Sequence, residues 1–109
     1  MDAREKRLAQ NETVFRSVNE RIEEIAASGP GDAHVYEFVC ECSNADCNLL
    51  LPMTRAEYES IRHNPRLFLV APGHELPDIE TVVIRRGAYY IVTKRGEAGE
   101  FVEARDPRA

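Results

Sequence analysis

Tryptophan is absent from the 109 residues, and four Phe and four Tyr are the only large rings available. A core with so few rings is small, and small domains commonly add a metal ion or disulfides to hold together. No apolar run approaches the roughly 18 residues that a membrane span needs. No apolar stretch follows Met1-Asp2-Ala3-Arg4-Glu5-Lys6-Arg7, so no secretory signal is expected and the cytoplasm is the default location. A basic excess is missing too. The net charge of −5 argues against a binder driven to nucleic acid by charge. The chain lacks the phosphate-cradling G-x-x-x-x-G-K-[ST], the dinucleotide G-x-G-x-x-G and the nucleophile elbow G-x-S-x-G, and it is not expected to be an enzyme. What remains is a foldable composition, 43% hydrophobic and 30% charged, of a length that suits one domain with an appendage.

Cysteine is scarce but concentrated. All three, Cys40, Cys42 and Cys47, fall within eight residues in a C-x-C-x4-C pattern. Residues two apart in an extended stretch face the same way, so the first two thiols share a side. Ser43-Asn44-Ala45-Asp46 is rich in turn formers and can fold the chain back to deliver Cys47. Three thiolates need a fourth ligand to close a tetrahedral zinc site. His74 is the leading candidate, because Pro72-Gly73 suits the centre of a tight turn that would hold the following imidazole rigidly. His34 at a strand start and His63 at a helix end are the competitors. Glu75 is a candidate acceptor for the imidazole of a ligating His74. Buried free thiols suit the polar turn poorly, and a Cys40–Cys42 disulfide would be strained and leave Cys47 unpaired. An iron–sulfur cluster is the other metal reading, though the spacing matches none of its common runs. Zn2+ is therefore the expected cofactor.

Residues 1–28 are expected to form an amphipathic helix. Leu8, Phe15, Val18, Ile22 and Ile25 make one stripe, Asn11 stands in its seam, and Arg4, Lys6, Glu12, Arg16, Glu20, Arg21, Glu23 and Glu24 fill the other faces. The stripe either packs on its own domain or forms an interaction face for a second copy or a protein partner. Residues 32–96 are expected to form an α+β zinc-binding domain: a small, mostly antiparallel sheet, a short helix opened by the capping box Thr54-x-x-Glu57, and a zinc knuckle. Residues 97–109 read as a polar tail.

The role these features lead one to expect is a protein-interaction module, with regulation as one use of it. Two other uses stay open. The thiols could serve as a redox sensor. Arg85-Arg86 and Lys94-Arg95, with Tyr89 and Tyr90 between them, could bind single-stranded nucleic acid at the ends of a hairpin. The stretch Phe38-Val39-Cys40-Glu41-Cys42 with Cys47, then Tyr58-Glu59, Pro65, Phe68 and Pro72-Gly73-His74-Glu75, resembles a family of small uncharacterised proteins common in actinobacteria. Asn19-Glu20-Arg21-Ile22, Gly96-Glu97-Ala98 and Asp106-Pro107-Arg108 extend the resemblance over most of the chain. It implies His74 as the fourth ligand and no particular activity. The His-x3-Cys-x2-Cys spacing of zinc-containing anti-sigma factors is not present.

Overall fold

The computed structural model describes residues 1–31 and 33–108. Its elements in order are α1 (Ala3–Ala27), β1 (Val35–Val39), β2 (Leu50–Thr54), α2 (Arg55–Arg62), β3 (Leu67–Val70), β4 (Glu80–Arg85), β5 (Tyr90–Lys94) and α3 (Gly96–Ala104). The class is α+β, with a long N-terminal helix and antiparallel strands. The strands form two sheets, a β1-β2 ribbon and a β3-β5-β4 sheet.

α1 begins where the Asp2 carboxylate accepts the Glu5 N–H at 2.7 Å, a side-chain cap on an otherwise orphan donor. It ends at Ser28-Gly29, where the Gly29 N–H donates to the Ala26 carbonyl. A side chain at Gly29 would run into the Tyr36 hydroxyl, so the helix exit is tight against β1.

The face that α1 turns inward is not the apolar stripe. Its buried residues are Ala9, Glu12, Arg16, Asn19, Glu23 and Ala26. At 3.6 residues per turn this face lies roughly 100° from the centre of the stripe. The expectation that Glu12, Arg16 and Glu23 lie on solvated faces is thereby corrected. Of the stripe, Leu8, Phe15 and Ile22 are half-buried, whereas Val18 and Ile25 are exposed, with Val14 beside them. The physical reason is charge pairing at long range. Lys94 contacts both Glu12 and Glu80 in the interior, Arg55 binds Glu23 at 2.5 Å, and Glu41 receives Arg16 and Asn19.

In the β1-β2 ribbon Phe38 pairs with Leu51 and Tyr36 with Met53. Alternation sends Phe38, Leu51 and Met53 inward, where all three are buried. Thr54 then caps α2: its hydroxyl accepts the Glu57 N–H while the Glu57 carboxylate accepts the Thr54 N–H, the reciprocal box expected. α2 places Tyr58 and Ile61 in the core, Tyr58 stacked on Phe38 with ring centres 4.5 Å apart. Phe68, Leu69 and Val70 of β3 and Ile91 and Val92 of β5 complete it.

The described part of the expected polar tail, residues 97–108, is not a separate tail. These residues carry most of α3, whose Ala98, Phe101 and Val102 are buried. Beyond it, Arg62 is fully covered between Glu20 and Asp106, and Arg108 binds Glu59. Phe101 and Val102, with Ala98 one turn before them, are enough to anchor a helix otherwise rich in Glu.

Candidate metal centre

The knuckle lies between β1 and β2. The Cys40 N–H donates to the Leu49 carbonyl at 3.1 Å, extending the ribbon's pairing into the cysteine segment. Strand parity persists there. Cys40 and Cys42 face the cluster, and Glu41 between them points into the protein. The return is an Asn44 turn, in which Asn44 Oδ1 accepts the Asp46 N–H at 3.0 Å and its carbonyl accepts the Cys47 N–H at 3.0 Å. The second arm comes from the end of β3. Ala71-Pro72-Gly73-His74 is a tight turn in which the His74 N–H reaches the Ala71 carbonyl at 3.0 Å. Gly73 has φ +88° there, a left-handed value that suits glycine at the third turn position.

These two arms bring Cys40, Cys42, Cys47 and His74 into one group able to hold a metal ion. The four ligand atoms lie within 4.8 Å of one another. His74 Nδ1 is 3.8 Å from the Cys40 sulfur and 3.7 Å from the Cys47 sulfur. A tetrahedral zinc with ordinary bond lengths separates sulfur from nitrogen by about 3.6 Å. The donor set and its spacing therefore fit a closed four-coordinate site. Cys40 and Cys42 are buried, Cys47 and His74 half-buried, and the three cysteines carry no disulfide.

Without a cation the thiols share protons unequally. The Cys40 thiol donates to Cys42 and, against the opposing effect of burial, holds it at about 5. The same hydrogen bond, joined by burial, pushes Cys40 far up, and burial raises Cys47. A metal ion would replace those protons, because thiolates are the ligating form. The Ala71 N–H donates to Cys40 Sγ at 3.1 Å, a contact that supports a thiolate.

The two competing histidines and Glu75 fall elsewhere. His34 is exposed and sits edge-on to Tyr36, and His63 is the exposed C-cap of α2. Glu75 is next to the site but does not bind the imidazole: among the described residues its Oε1 is buried without a hydrogen-bond partner. The turn brings Nδ1 of His74 to the sulfurs of Cys40 and Cys47.

The hairpin is no basic patch. Arg85 and Arg86 are exposed, with Arg85 over the Tyr90 ring at 5.5 Å. At the other end Lys94 is buried between two carboxylates. Arg95 is taken up by the Glu80 and Pro77 carbonyls and the Thr81 hydroxyl. Tyr89 is buried and donates to Glu57.

The role that sequence reasoning overlooked is that of Glu41 as a buried acceptor. It has no solvent exposure. Its carboxylate accepts from Tyr58 Oη at 2.8 Å, Asn19 Nδ2 at 2.9 Å, the Leu69 N–H at 3.0 Å and Arg16 at 3.4 Å. The signal was available: a residue between two cysteines on one face of a strand must point to the other face. Comparison with protein families, with curated proteins and with solved structures finds no match.

Proposed function

We propose that Cys40, Cys42, Cys47 and His74 hold one structural zinc ion, and that the protein is a non-catalytic, cytoplasmic interaction module built around it. The observation that carries this reading is the four-ligand cluster, closed by an imidazole at zinc-like distances from two sulfurs. A catalytic zinc usually keeps an open position and fewer thiolates, whereas four protein donors, three of them sulfur, fill the shell. Unpaired thiols suit a reducing compartment. No helix among the described residues is long and apolar enough to cross a membrane.

Elemental analysis of protein purified without chelators tests the metal. One zinc per chain is expected; iron with visible absorption, or no metal, overturns the reading. The interaction surface proposed is the solvent side of α1, where Val14 and Ile25 are each 61% exposed and Val18 43%. These three, rather than the whole stripe, form the face open to a second copy or a protein partner. Replacing all three with Ser should abolish concentration-dependent association in sedimentation velocity while zinc stays bound. A wild type that remains monomeric at high micromolar concentration removes self-pairing from this proposal.

One observation favours a redox-responsive version of the same site: Cys47 is a half-exposed ligand beside two buried ones. Peroxide would join two ligand thiols as a disulfide, itself going to water, and the ion would leave. Zinc release measured against peroxide dose distinguishes this sensor from an inert staple.

A further inference from the structure

α1 is held to the protein by polar contacts, and many of them converge on the cysteine segment. The Asn11 amide donates to the Ser43 carbonyl at 2.8 Å. The Asn19 amide closes on Val39 from both sides, accepting its N–H at 2.7 Å and donating to its carbonyl at 2.8 Å. Asn19 and Arg16 both reach the Glu41 carboxylate. Residues 39–43 thus contact α1 three times along its length, and Glu41 stands between two of the four metal-ligand candidates. The same carboxylate is tied to α2 through Tyr58 and to β3 through the Leu69 N–H, while the Glu41 N–H donates to the Leu69 carbonyl at 2.7 Å. Apart from Ala9 and Ala26, the buried side of α1 is polar.

We propose that metal binding and the docking of α1 are coupled through Glu41, so that the bound ion holds the helix down and loss of the ion frees it. This rests on the metal reading above. The argument is geometric. Cys40 and Cys42 can meet one ion only if the residue between them points away from it, and that constraint aims Glu41 at Arg16 and Asn19. If the thiols separate, Glu41 turns with them. Arg16, only 1% exposed and lying over the Phe68 ring at 3.5 Å, is then left as a buried cation without its carboxylate. A buried polar network that is only partly satisfied is worse than none. The fully buried apolar residues of α1 are Ala9 and Ala26 alone, with Leu8, Phe15 and Ile22 half-buried, and an isolated helix is marginal in water. Released, it carries Leu8, Phe15, Val18, Ile22 and Ile25 into solvent together, restoring the continuous stripe that docking divides.

Coupling between two events is reciprocal, so it can be read from either end. Zinc affinity is measured by competition with a chromophoric chelator, and α1 docking by hydrogen exchange of residues 3–27, on the zinc-loaded full chain. Asn19→Ala and Glu41→Gln should each weaken zinc binding by about tenfold, within the usual range of coupling, and speed α1 exchange, while exchange of β4 and β5, which hold no hydrogen-bond partner of Glu41, is unchanged. Ile91→Val, which thins the core without removing any hydrogen bond of the network, should leave native-state zinc affinity within twofold. Asn19→Ala carries the test if Glu41→Gln does not fold. Zinc affinity unchanged while α1 exchanges faster overturns the coupling, as does α1 exchange unchanged in Asn19→Ala. Weakening by Ile91→Val to the same degree also overturns it. A wild type with no bound metal fails the metal reading itself, and the coupling with it.

Discussion

Lys94 shows how much of this molecule is decided by single charged residues. Its ammonium lies between Glu12 and Glu80, all three without meaningful exposure. Lys94→Met would leave two buried carboxylates facing each other, and a loss of about 3–5 kcal/mol is expected in urea unfolding. The pair also sets a pH dependence. Burial, only partly countered by Lys94, raises Glu12 well above its ordinary carboxyl value. The native state therefore binds a proton at Glu12 that the unfolded chain gives up earlier. Its contribution to stability is present below the unfolded pKa of about 4.3 and is lost as pH rises toward the folded value. Glu12→Gln keeps a neutral side chain at every pH, so a plot of unfolding free energy against pH should lose that slope. Asp106 works in the opposite sense. Burial raises it, but Arg62 and the Arg108 N–H more than compensate and hold it below the usual range. Its stabilisation is present above the unfolded carboxyl value and disappears as pH falls through the folded one. Asp106→Asn should flatten the acid limb of the same plot. The clustering of the three cysteines with His74 was readable because their geometry is local: strand parity for Cys40 and Cys42, a turn for Cys47, a Pro-Gly turn for His74. Lys94 was not, because Glu12 is 82 residues away in the chain.

At the scale of elements, the boundaries of α1 and α2 follow from their caps and breakers, and both were readable. Removing the Thr54 cap should cost about 1 kcal/mol in thermal or urea unfolding without altering metal content. The phase of α1 was legible only in part. The apolar stripe allows either packing on the domain or an interaction face, but Ala9, Glu12, Arg16, Asn19, Glu23 and Ala26 also recur at three- and four-residue steps and form the stripe that is buried. Which of two stripes wins depends on partners such as Glu41 and Arg55, and helix periodicity alone does not reveal them. The substitutions Val14→Ser, Val18→Ser and Ile25→Ser should each change stability by no more than about 0.5 kcal/mol, since they lie on the open side. α3 was read as tail because its two anchoring side chains, Phe101 and Val102, are few among glutamates.

For the whole molecule, the absence of tryptophan and the shortage of aromatics are met in two ways. One is the cluster of thiols and imidazole, which can draw on the large binding energy of a metal ion. The other is a set of charged residues placed inside, Arg16 over Phe68 and Arg62 between acids, where larger proteins would place apolar ones. Chelation should therefore lower the thermal midpoint strongly in circular dichroism, and a melt unchanged by a strong chelator would remove the stabilising role of the metal.

The double contact of Asn19 with Val39 has a consequence beyond holding a helix. An amide that both gives and takes a hydrogen bond on one strand residue does what a neighbouring strand would do. β1 belongs to a two-stranded ribbon, so one of its edges would otherwise offer unpaired backbone groups next to the exposed Val35. On the far side, β2 carries Pro52, which has no N–H to offer. The helix side chain thus acts as a stopper against strand addition. A chain trimmed of α1 should be more than a shorter version of the protein: it should be sticky, joining its neighbours edge to edge through β1.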